Sequence, residues 1–218
     1  MELSPEILKR ALEGNLRGAA SHRRLLPPNR ELTARSPEAK KDLKKSSVLL
    51  LLFMENDDLT ACLLKRPAHM KHHASQIALP GGRIEPGETA LDTALRETWE
   101  EIGIYPEAIE ILGPLSELFV GVSGFLIHPF VGWLKKKPRF RTNPSEVEKT
   151  VLFPLLKHKR IYYQTVHTEN PRKFRVPSFR FHDEIIWGAT AMILAEFYDA
   201  LEAVFTEGSH SNNVHSSG

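Results

Sequence analysis

Three glutamates, Glu97, Glu100 and Glu101, fall within one turn of a predicted helix in this 218-residue chain. At about 100° per residue these positions lie within roughly a 100° arc, so the three carboxylates converge on one patch. Such a cluster repels itself unless a cation neutralises it. Carboxylate oxygens in that number suit Mg²⁺ or Mn²⁺ better than zinc. The spacing therefore predicts a divalent-metal site.

The residues around these glutamates predict a helix with its opposite face in the core. A lone acidic run on a helix is most often a solvated face, but here apolar residues recur at helical spacing on the other side. A left-handed Gly103 would end the helix, and Gly81 and Gly82 before it would let the backbone approach a ligand closely. Arg96 lies eight residues after Glu88 and is expected to pair with it, which would fix the preceding loop to the helix. The apolar positions are Ala90, Leu91, Ala94, Leu95 and Ile102.

Residues 82–104 resemble the box of the Nudix hydrolases, G-x5-E-x7-R-E-U-x-E-E-x-G-U, where U is a bulky apolar residue. Every charged position of that pattern is filled, and one position departs, because Thr98 stands where an apolar residue is usual. The resemblance implies an α+β fold, an α/β/α sandwich whose mixed sheet carries the box helix and a C-terminal helix. It implies Glu97 and Glu101 as principal metal ligands. Glu100 would be shared between metal binding and water activation, and the carbonyl of Gly82 would be a further ligand.

A second motif, in residues 63–82, resembles the element that marks the coenzyme A pyrophosphatase branch, L-L-T-x-R-S-x3-R-x3-G-x-V-x-F-P-G-G. The spacing agrees, and residues 124–131 and 186–191 are also similar to this branch. The resemblance implies cleavage of coenzyme A or its thioesters into 3′,5′-ADP and 4′-phosphopantetheine species. The branch identities are only partly kept, however, at Pro67, Lys71, Ser75 and Leu79.

Cationic side chains in this motif fit a substrate that has several phosphates. Coenzyme A carries a diphosphate and a 3′-phosphate, and therefore needs more cationic donors than a sugar does. Arg66, Lys71, His72 and Gly81 are expected to bind the substrate, with the segment of residues 66–73 reading the 3′-phosphate. The basic run 135–141 is interpreted first as a solvated loop, with an RNA contact or a rim for the 3′-phosphate as alternatives.

The partly kept identities leave other functions open. One alternative is hydrolysis of another nucleoside diphosphate derivative, such as ADP-ribose, a dinucleotide or a damaged nucleotide. Outside the enzymes, the alternative is a non-catalytic binding or regulatory module of the same fold. Such modules typically lose box glutamates, and here none is lost. The family often takes its general base from a distal loop, and the turn-forming residues 143–148 make Glu146 the candidate over Glu148.

Composition limits the partners. The 29 basic and 27 acidic residues nearly balance, which argues against a nucleic-acid partner. The single cysteine, Cys62, excludes an internal disulfide and fits a reducing cytosol. The longest apolar run, residues 48–54, is too short for a membrane span, and no signal-peptide pattern begins the chain. We therefore expect a cytoplasmic protein that binds a small nucleotide and no membrane, with a homodimer left open.

The remaining pattern predicts an arm, a domain and a tail. Ser4 and Pro5 predict a helix that runs to about Gly14 or Arg17. Residues 21–46 are polar and basic and predict an extended arm, so that residues 1–46 precede a main domain of 47–205. Within that domain a second helix is predicted at 189–205, and the tail 206–218 is expected to be disordered. The strand candidates are a hairpin of 48–54 with 59–65, followed by 108–119, 126–135, 150–153, 161–167, 173–181 and 184–187.

Overall fold

The computed structural model describes residues 3–14, 16–27, 43–70, 73–121, 123–166 and 174–211. Its helices are α1 (Pro5–Glu13), α2 (Ala19–Arg23), α3 (Ala90–Ile102) and α4 (Gly188–Ser211), and a 3₁₀ turn covers Pro106–Ala108. Its strands are β1 (Lys44–Glu55), β2 (Asp58–Lys65), β3 (Ile77–Ala78), β4 (Gly81–Arg83), β5 (Glu110–Pro114), β6 (Leu118–Val120), β7 (Phe125–Trp133), β8 (Lys149–Pro154), β9 (Tyr162–Val166), β10 (Phe174–Phe181) and β11 (Glu184–Trp187).

A mixed eight-stranded sheet forms the centre of the molecule. Its main path is β3-β2-β1-β7-β5, with β4 paired to β1, β6 to β7 and β8 to β2. Strands β1 and β7 run parallel, and the other pairs in this sheet are antiparallel. A smaller sheet has the order β11-β10-β9. None of the described helices is both long and apolar enough to cross a bilayer.

Strand β1 divides the interior into two cores because its side chains alternate between the two faces of the sheet. Leu50 and Leu52 pack with residues of α1 and α4 on one face. Leu49 and Leu51 pack with Ala94 and other residues of α3 on the opposite face. Helices therefore cover both faces, and the predicted α+β sandwich is confirmed.

The predicted hairpin of β1 and β2 is present and closes at Asn56 and Asp57. Both residues have positive φ angles, 49° and 60°. Two consecutive left-handed residues define the tight turn whose twist matches that of paired antiparallel strands. The β1–β2 register, with Glu55 opposite Asp58, follows from this two-residue connection.

Two predicted boundaries need correction. Helix α1 has its predicted Ser4 cap, but residues 21–27 are not an extended arm: residues 19–23 form α2, and the following Leu25 lies in the core. The predicted tail also begins too early, because α4 continues to Ser211. An established helix gains one hydrogen bond for each residue added, so it extends until a stop signal or loss of packing ends it. Residues 28–42 and 212–218 lie outside the described residues.

The fully buried Glu196 of α4 holds the N-terminal segment against the domain. One carboxylate oxygen accepts a hydrogen bond from Gly18 N at 3.0 Å. The other accepts one from Ser116 N at 3.2 Å and lies 3.1 Å from Nε2 of His22. Burial alone raises the pKa of Glu196, but the hydrogen bonds from His22 and Ser116 outweigh it and hold that pKa below its ordinary value of 4.5.

We expect Glu196→Gln to lower the free energy of unfolding by about 1–3 kcal/mol at neutral pH, since a buried network loses its charged acceptor. Because the folded pKa is depressed, the carboxylate contributes stability above pH 4.5 and loses it as pH falls through the folded pKa. Urea titrations of wild type and variant between pH 3 and pH 8 should therefore converge at the acidic end. Glu202→Gln, on the exposed face of α4, is the control. A gap that stays constant over the whole pH range would contradict the assignment.

Candidate metal centre

Three carboxylates meet at one end of α3. Glu97, Glu101 and Glu146 each place an oxygen within 4.8 Å of the other two. Glu101 is buried with 1% of its surface exposed, while Glu97 and Glu146 are half-buried. The first two residues come from the helix, and the third comes from the loop between β7 and β8. An all-oxygen set of this kind fits a hard divalent cation such as Mg²⁺ or Mn²⁺.

Helix geometry explains why Glu100 is not in this group. Relative to Glu97, position 101 lies about 40° to one side and position 100 about 60° to the other. The exposed Glu100 instead lies 3.0 Å from an Arg96 nitrogen. The structure therefore brings together two of the three glutamates that the box resemblance implied as ligands, with Glu146 as the third member. The proposed role of Glu100 stays a prediction.

The loop that carries Glu146 is tied to the end of α3. Asn143 N donates to the carbonyl of Glu101 at 3.0 Å, and Asn143 Oδ1 accepts bonds from Ser145 N and Oγ at 3.2 Å and 2.7 Å. Val147 is buried in the core beneath α3. These contacts turn Glu146 toward the box helix, while Glu148 is exposed and lies 3.7 Å from Lys65.

Burial shifts the protonation of the cluster. Burial, with a smaller contribution from the nearby Glu97 and Glu146, raises the pKa of Glu101 to about 8, although the amide of Gly81 and the charge of Arg66 oppose the shift. Burial also raises the pKa of Glu97, against the opposing hydrogen bond from Arg96. Glu101 and Glu97 therefore tend to retain protons, which a divalent cation would displace on binding.

The two glycines of β4 are required by close contacts. Gly81 N donates to Glu101 at 2.9 Å. Its φ is +151°, and a side chain there would overlap the carbonyl of Ser47. A Cβ on Gly82 would overlap the carboxylate of Glu97. The glycines therefore let the backbone lie directly against both helical carboxylates.

The predicted Arg96–Glu88 pair is present. Arg96 donates to the two carboxylate oxygens of Glu88 at 2.6 Å and 3.1 Å, and Thr93 Oγ1 donates to Glu88 at 2.7 Å. Hydrogen bonds from Arg96 and Thr93 lower the pKa of Glu88 to about 2. Arg96 also donates to Glu97 at 2.9 Å, so the clamp that holds the loop to the helix also orients a carboxylate of the cluster.

Gly103 and Thr98 account for the end and the packing of α3. Gly103 has φ 71° and donates its N–H to the carbonyl of Trp99 at 2.8 Å, as predicted for a left-handed helix stop. Thr98 is fully buried, and its hydroxyl donates to the carbonyl of Ala94 at 2.7 Å. A hydroxyl therefore occupies the usual apolar position without an unsatisfied donor.

The predicted substrate-binding residues are only partly described. The guanidinium of Arg66 lies 3.7 Å from Glu101, at the carboxylate cluster itself. Lys71 and His72 lie outside the described residues, so their assignment stays a prediction. The basic run 135–141 is largely exposed, although Lys137 pairs with Glu55 and Phe140 packs 6.4 Å from Phe53 between ring centroids.

Comparison with known proteins identifies the class. Residues 43–174 match the NUDIX domain, more than half of the chain. The chain is 36% identical over 139 residues to the uncharacterized Nudix hydrolase NudL of Yersinia enterocolitica, covering 62% of this chain and 70% of that protein. It is 33% identical over 136 residues to Nudix hydrolase 3 of Caenorhabditis elegans, covering 61% of this chain and only 57% of that longer protein. The chain therefore belongs to the Nudix hydrolase family, whose enzymes act on phosphoric anhydrides, as its sequence predicted.

Solved structures agree with the fold. A MutT/nudix family protein from Enterococcus faecalis has a TM-score of 0.53 and 18% identity, covering 93% of this chain and 76% of that one. The Nudix hydrolase RenU of M. smegmatis has a TM-score of 0.51 and 16% identity, covering 75% and 86%. At these identities the likeness concerns the fold alone.

We expect Gly82→Ala to weaken Mn²⁺ binding by about tenfold or more while leaving the fold intact, because its methyl group displaces only the flexible end of Glu97. Calorimetric titration with Mn²⁺ measures the affinity, and the melting temperature in chelator reports the fold. Gly14→Ala is the control, since a Cβ there meets no atom closer than 3.5 Å. Unchanged Mn²⁺ affinity in Gly82→Ala would remove Glu97 from the site.

Proposed function

We propose that this protein is a Mg²⁺- or Mn²⁺-dependent hydrolase that cleaves the diphosphate of coenzyme A or acyl-coenzyme A to 3′,5′-ADP and (acyl-)4′-phosphopantetheine. The observation that carries the hydrolase activity is the convergence of Glu97, Glu101 and Glu146 beside Gly81 and Gly82. Coenzyme A as the substrate rests on the likeness of residues 63–82 to the coenzyme A pyrophosphatase branch.

The three carboxylates have different proposed roles, metal binding and general-base catalysis. Glu97 and Glu101 would hold the cation, with Glu97 oriented by Arg96 and Glu101 by the amide of Gly81. A divalent cation at this position supplies charge neutralisation and lowers the pKa of water. Glu146 is our choice for the general base, because it borders the cluster from a loop and is less buried than Glu101. It would take the proton from water as the oxygen bonds to phosphorus and the anhydride P–O bond breaks.

The single cysteine supports a location in a reducing compartment, and the charge balance supports a small-molecule substrate. Cys62 is fully buried, and burial raises the pKa of its thiol, which keeps the thiol protonated and unreactive. A buried lone thiol has no disulfide partner to maintain, which fits the proposed cytoplasmic location. The near balance of charge argues for a nucleotide rather than a nucleic acid as substrate.

The substrate proposal is tested by a panel of coenzyme A, acetyl-coenzyme A, ADP-ribose, NADH and ATP, with Mg²⁺ or Mn²⁺ and products identified by mass. We expect coenzyme A compounds to be the best substrates, with no turnover in excess chelator. Glu101→Gln should lower turnover by about 10² or more, because charge stabilisation in the transition state is lost. A better rate with ADP-ribose or NADH would replace the substrate, and full activity in chelator would remove the metal from the mechanism.

We expect Glu146→Gln to lower kcat by roughly 10² to 10⁴, the usual cost of losing a general base. Glu148→Gln is the matched control two residues away, and its exposed side chain should change kcat little. Turnover is compared at saturating metal and substrate. A large loss confined to Glu148→Gln would move the base along the loop, and no loss in either variant would assign it to the box, with Glu100 the first candidate.

A further inference from the structure

Arg66 is held rigidly at the carboxylate cluster by its backbone. Its N–H donates to the carbonyl of Gln76 at 3.0 Å, and its own carbonyl accepts from Ser75 N at 3.1 Å. Strand β2 ends one residue earlier, at Lys65. The side chain is 21% exposed, so most of its surface lies against the protein.

The guanidinium of Arg66 has donors to spare among the described residues. One nitrogen lies 3.7 Å from Glu101, which is an ion pair too long for a hydrogen bond, and another lies 4.0 Å from the sulfur of Met70. The guanidinium of Arg96, by contrast, donates to Glu88, Glu97 and Glu100. Among the residues that the structure describes, the five donors of this guanidinium meet no strong acceptor, which suits them to an anion with several oxygens.

We propose that Arg66 binds the scissile diphosphate and is not the residue that reads the 3′-phosphate. In the free protein it is the counter-ion of Glu101. When a cation binds Glu101, it shares the charge of that carboxylate, and the guanidinium can then engage the diphosphate oxygens in its fork. The inference rests on the proposed function only for the identity of the substrate.

The position of Arg66 indicates which phosphate group of the substrate it can contact, the diphosphate or the 3′-phosphate. The phosphorus that reacts must lie against the carboxylates, since the attacking water is activated there. The 3′-phosphate is attached to the ribose and cannot occupy the same place. A guanidinium 3.7 Å from Glu101 can therefore reach the diphosphate, whereas a 3′-phosphate reader would have to lie farther from the cluster.

The first test uses methylenediphosphonate, a non-hydrolysable diphosphate without nucleoside or 3′-phosphate, titrated calorimetrically at saturating Mn²⁺. We expect Arg66→Gln to weaken its binding by about tenfold to a hundredfold, as the loss of a charge-assisted contact would. Arg66→Lys should fall in between, because it keeps the charge and loses the fork. Arg180→Gln, which removes an exposed arginine of β10, is the control. Equal binding by wild type and Arg66→Gln would overturn the proposal.

A second readout needs no substrate. Arg66→Gln removes a positive charge next to Glu101, so it should tighten Mn²⁺ binding to the free protein by roughly twofold to tenfold. Arg66→Lys should restore the wild-type affinity. A residue that reads only the 3′-phosphate would leave this affinity unchanged, and that result would count against the proposal.

The third readout separates this inference from the proposed function. Arg66→Gln should lower kcat/KM equally for coenzyme A and for its 3′-dephosphorylated form, so that their ratio changes by less than about twofold. If Arg66→Gln instead abolishes the preference for coenzyme A over its 3′-dephosphorylated form and retains kcat, Arg66 would be assigned to the 3′-phosphate. If wild type cleaves neither compound but Arg66→Gln still binds methylenediphosphonate poorly, the substrate assignment fails and the role of Arg66 stands.

Discussion

The repulsion among Glu97, Glu101 and Glu146 is the constraint on which the rest of this structure depends. Three carboxylate oxygens within 4.8 Å cannot all be charged without compensation. The neighbouring elements each supply part of that compensation: an amide from Gly81, a guanidinium from Arg96 and a more distant guanidinium from Arg66. Burial, together with the remaining repulsion from Glu97 and Glu146, raises the pKa of Glu101 to about 8, and a divalent cation would relieve both effects.

Arg96 and Arg66 differ in how many hydrogen bonds hold their guanidinium groups, and this difference distinguishes a structural role from a role in substrate binding. Arg96 is fixed by its bonds to Glu88, so its contact with Glu97 belongs to the framework of the site. Arg66 has a rigid backbone and a loosely engaged guanidinium, so it can change partners without disturbing the fold. A site that must release a product benefits from this second kind of contact, because a rigid charge pair would have to be broken at every turnover.

The arrangement of the candidate centre was largely predictable from sequence because the relevant spacing lies within one helix and its flanking loops. The Glu88–Arg96 clamp, the Gly103 stop and the α+β sandwich all follow from local periodicity and resemblance to the box. The place of Glu100 was not predictable at that level, since a 100° arc still leaves one carboxylate on the outer side of the helix. Its carboxylate instead accepts a hydrogen bond at 3.0 Å from the same Arg96 nitrogen that donates to Glu97.

Long-range contacts were the part that the sequence could not specify. The polar composition of residues 21–46 suggested an arm, but Leu25 among them is buried. One partner of the buried Glu196 is His22, a histidine 174 residues away. Nothing in either local pattern reveals such a pairing. Similarly, the turn-forming residues of loop 143–148 suggested a base, but the hydrogen bond from Asn143 to the end of α3 is what brings Glu146 to the candidate metal centre.

Glu196 and Glu101 show how one residue type serves two purposes on opposite faces of the same sheet. Both are buried in helices, and burial alone raises the pKa of each. Glu196 has His22, Ser116 and Gly18 as close partners, and its pKa falls below the ordinary value. Glu101 has one amide hydrogen bond, a distant guanidinium and two like charges, and its pKa rises. A carboxylate whose oxygens accept several hydrogen bonds has little to gain from a cation, whereas a carboxylate with less compensation has more to gain. This difference distinguishes the structural anchor from the candidate metal ligand.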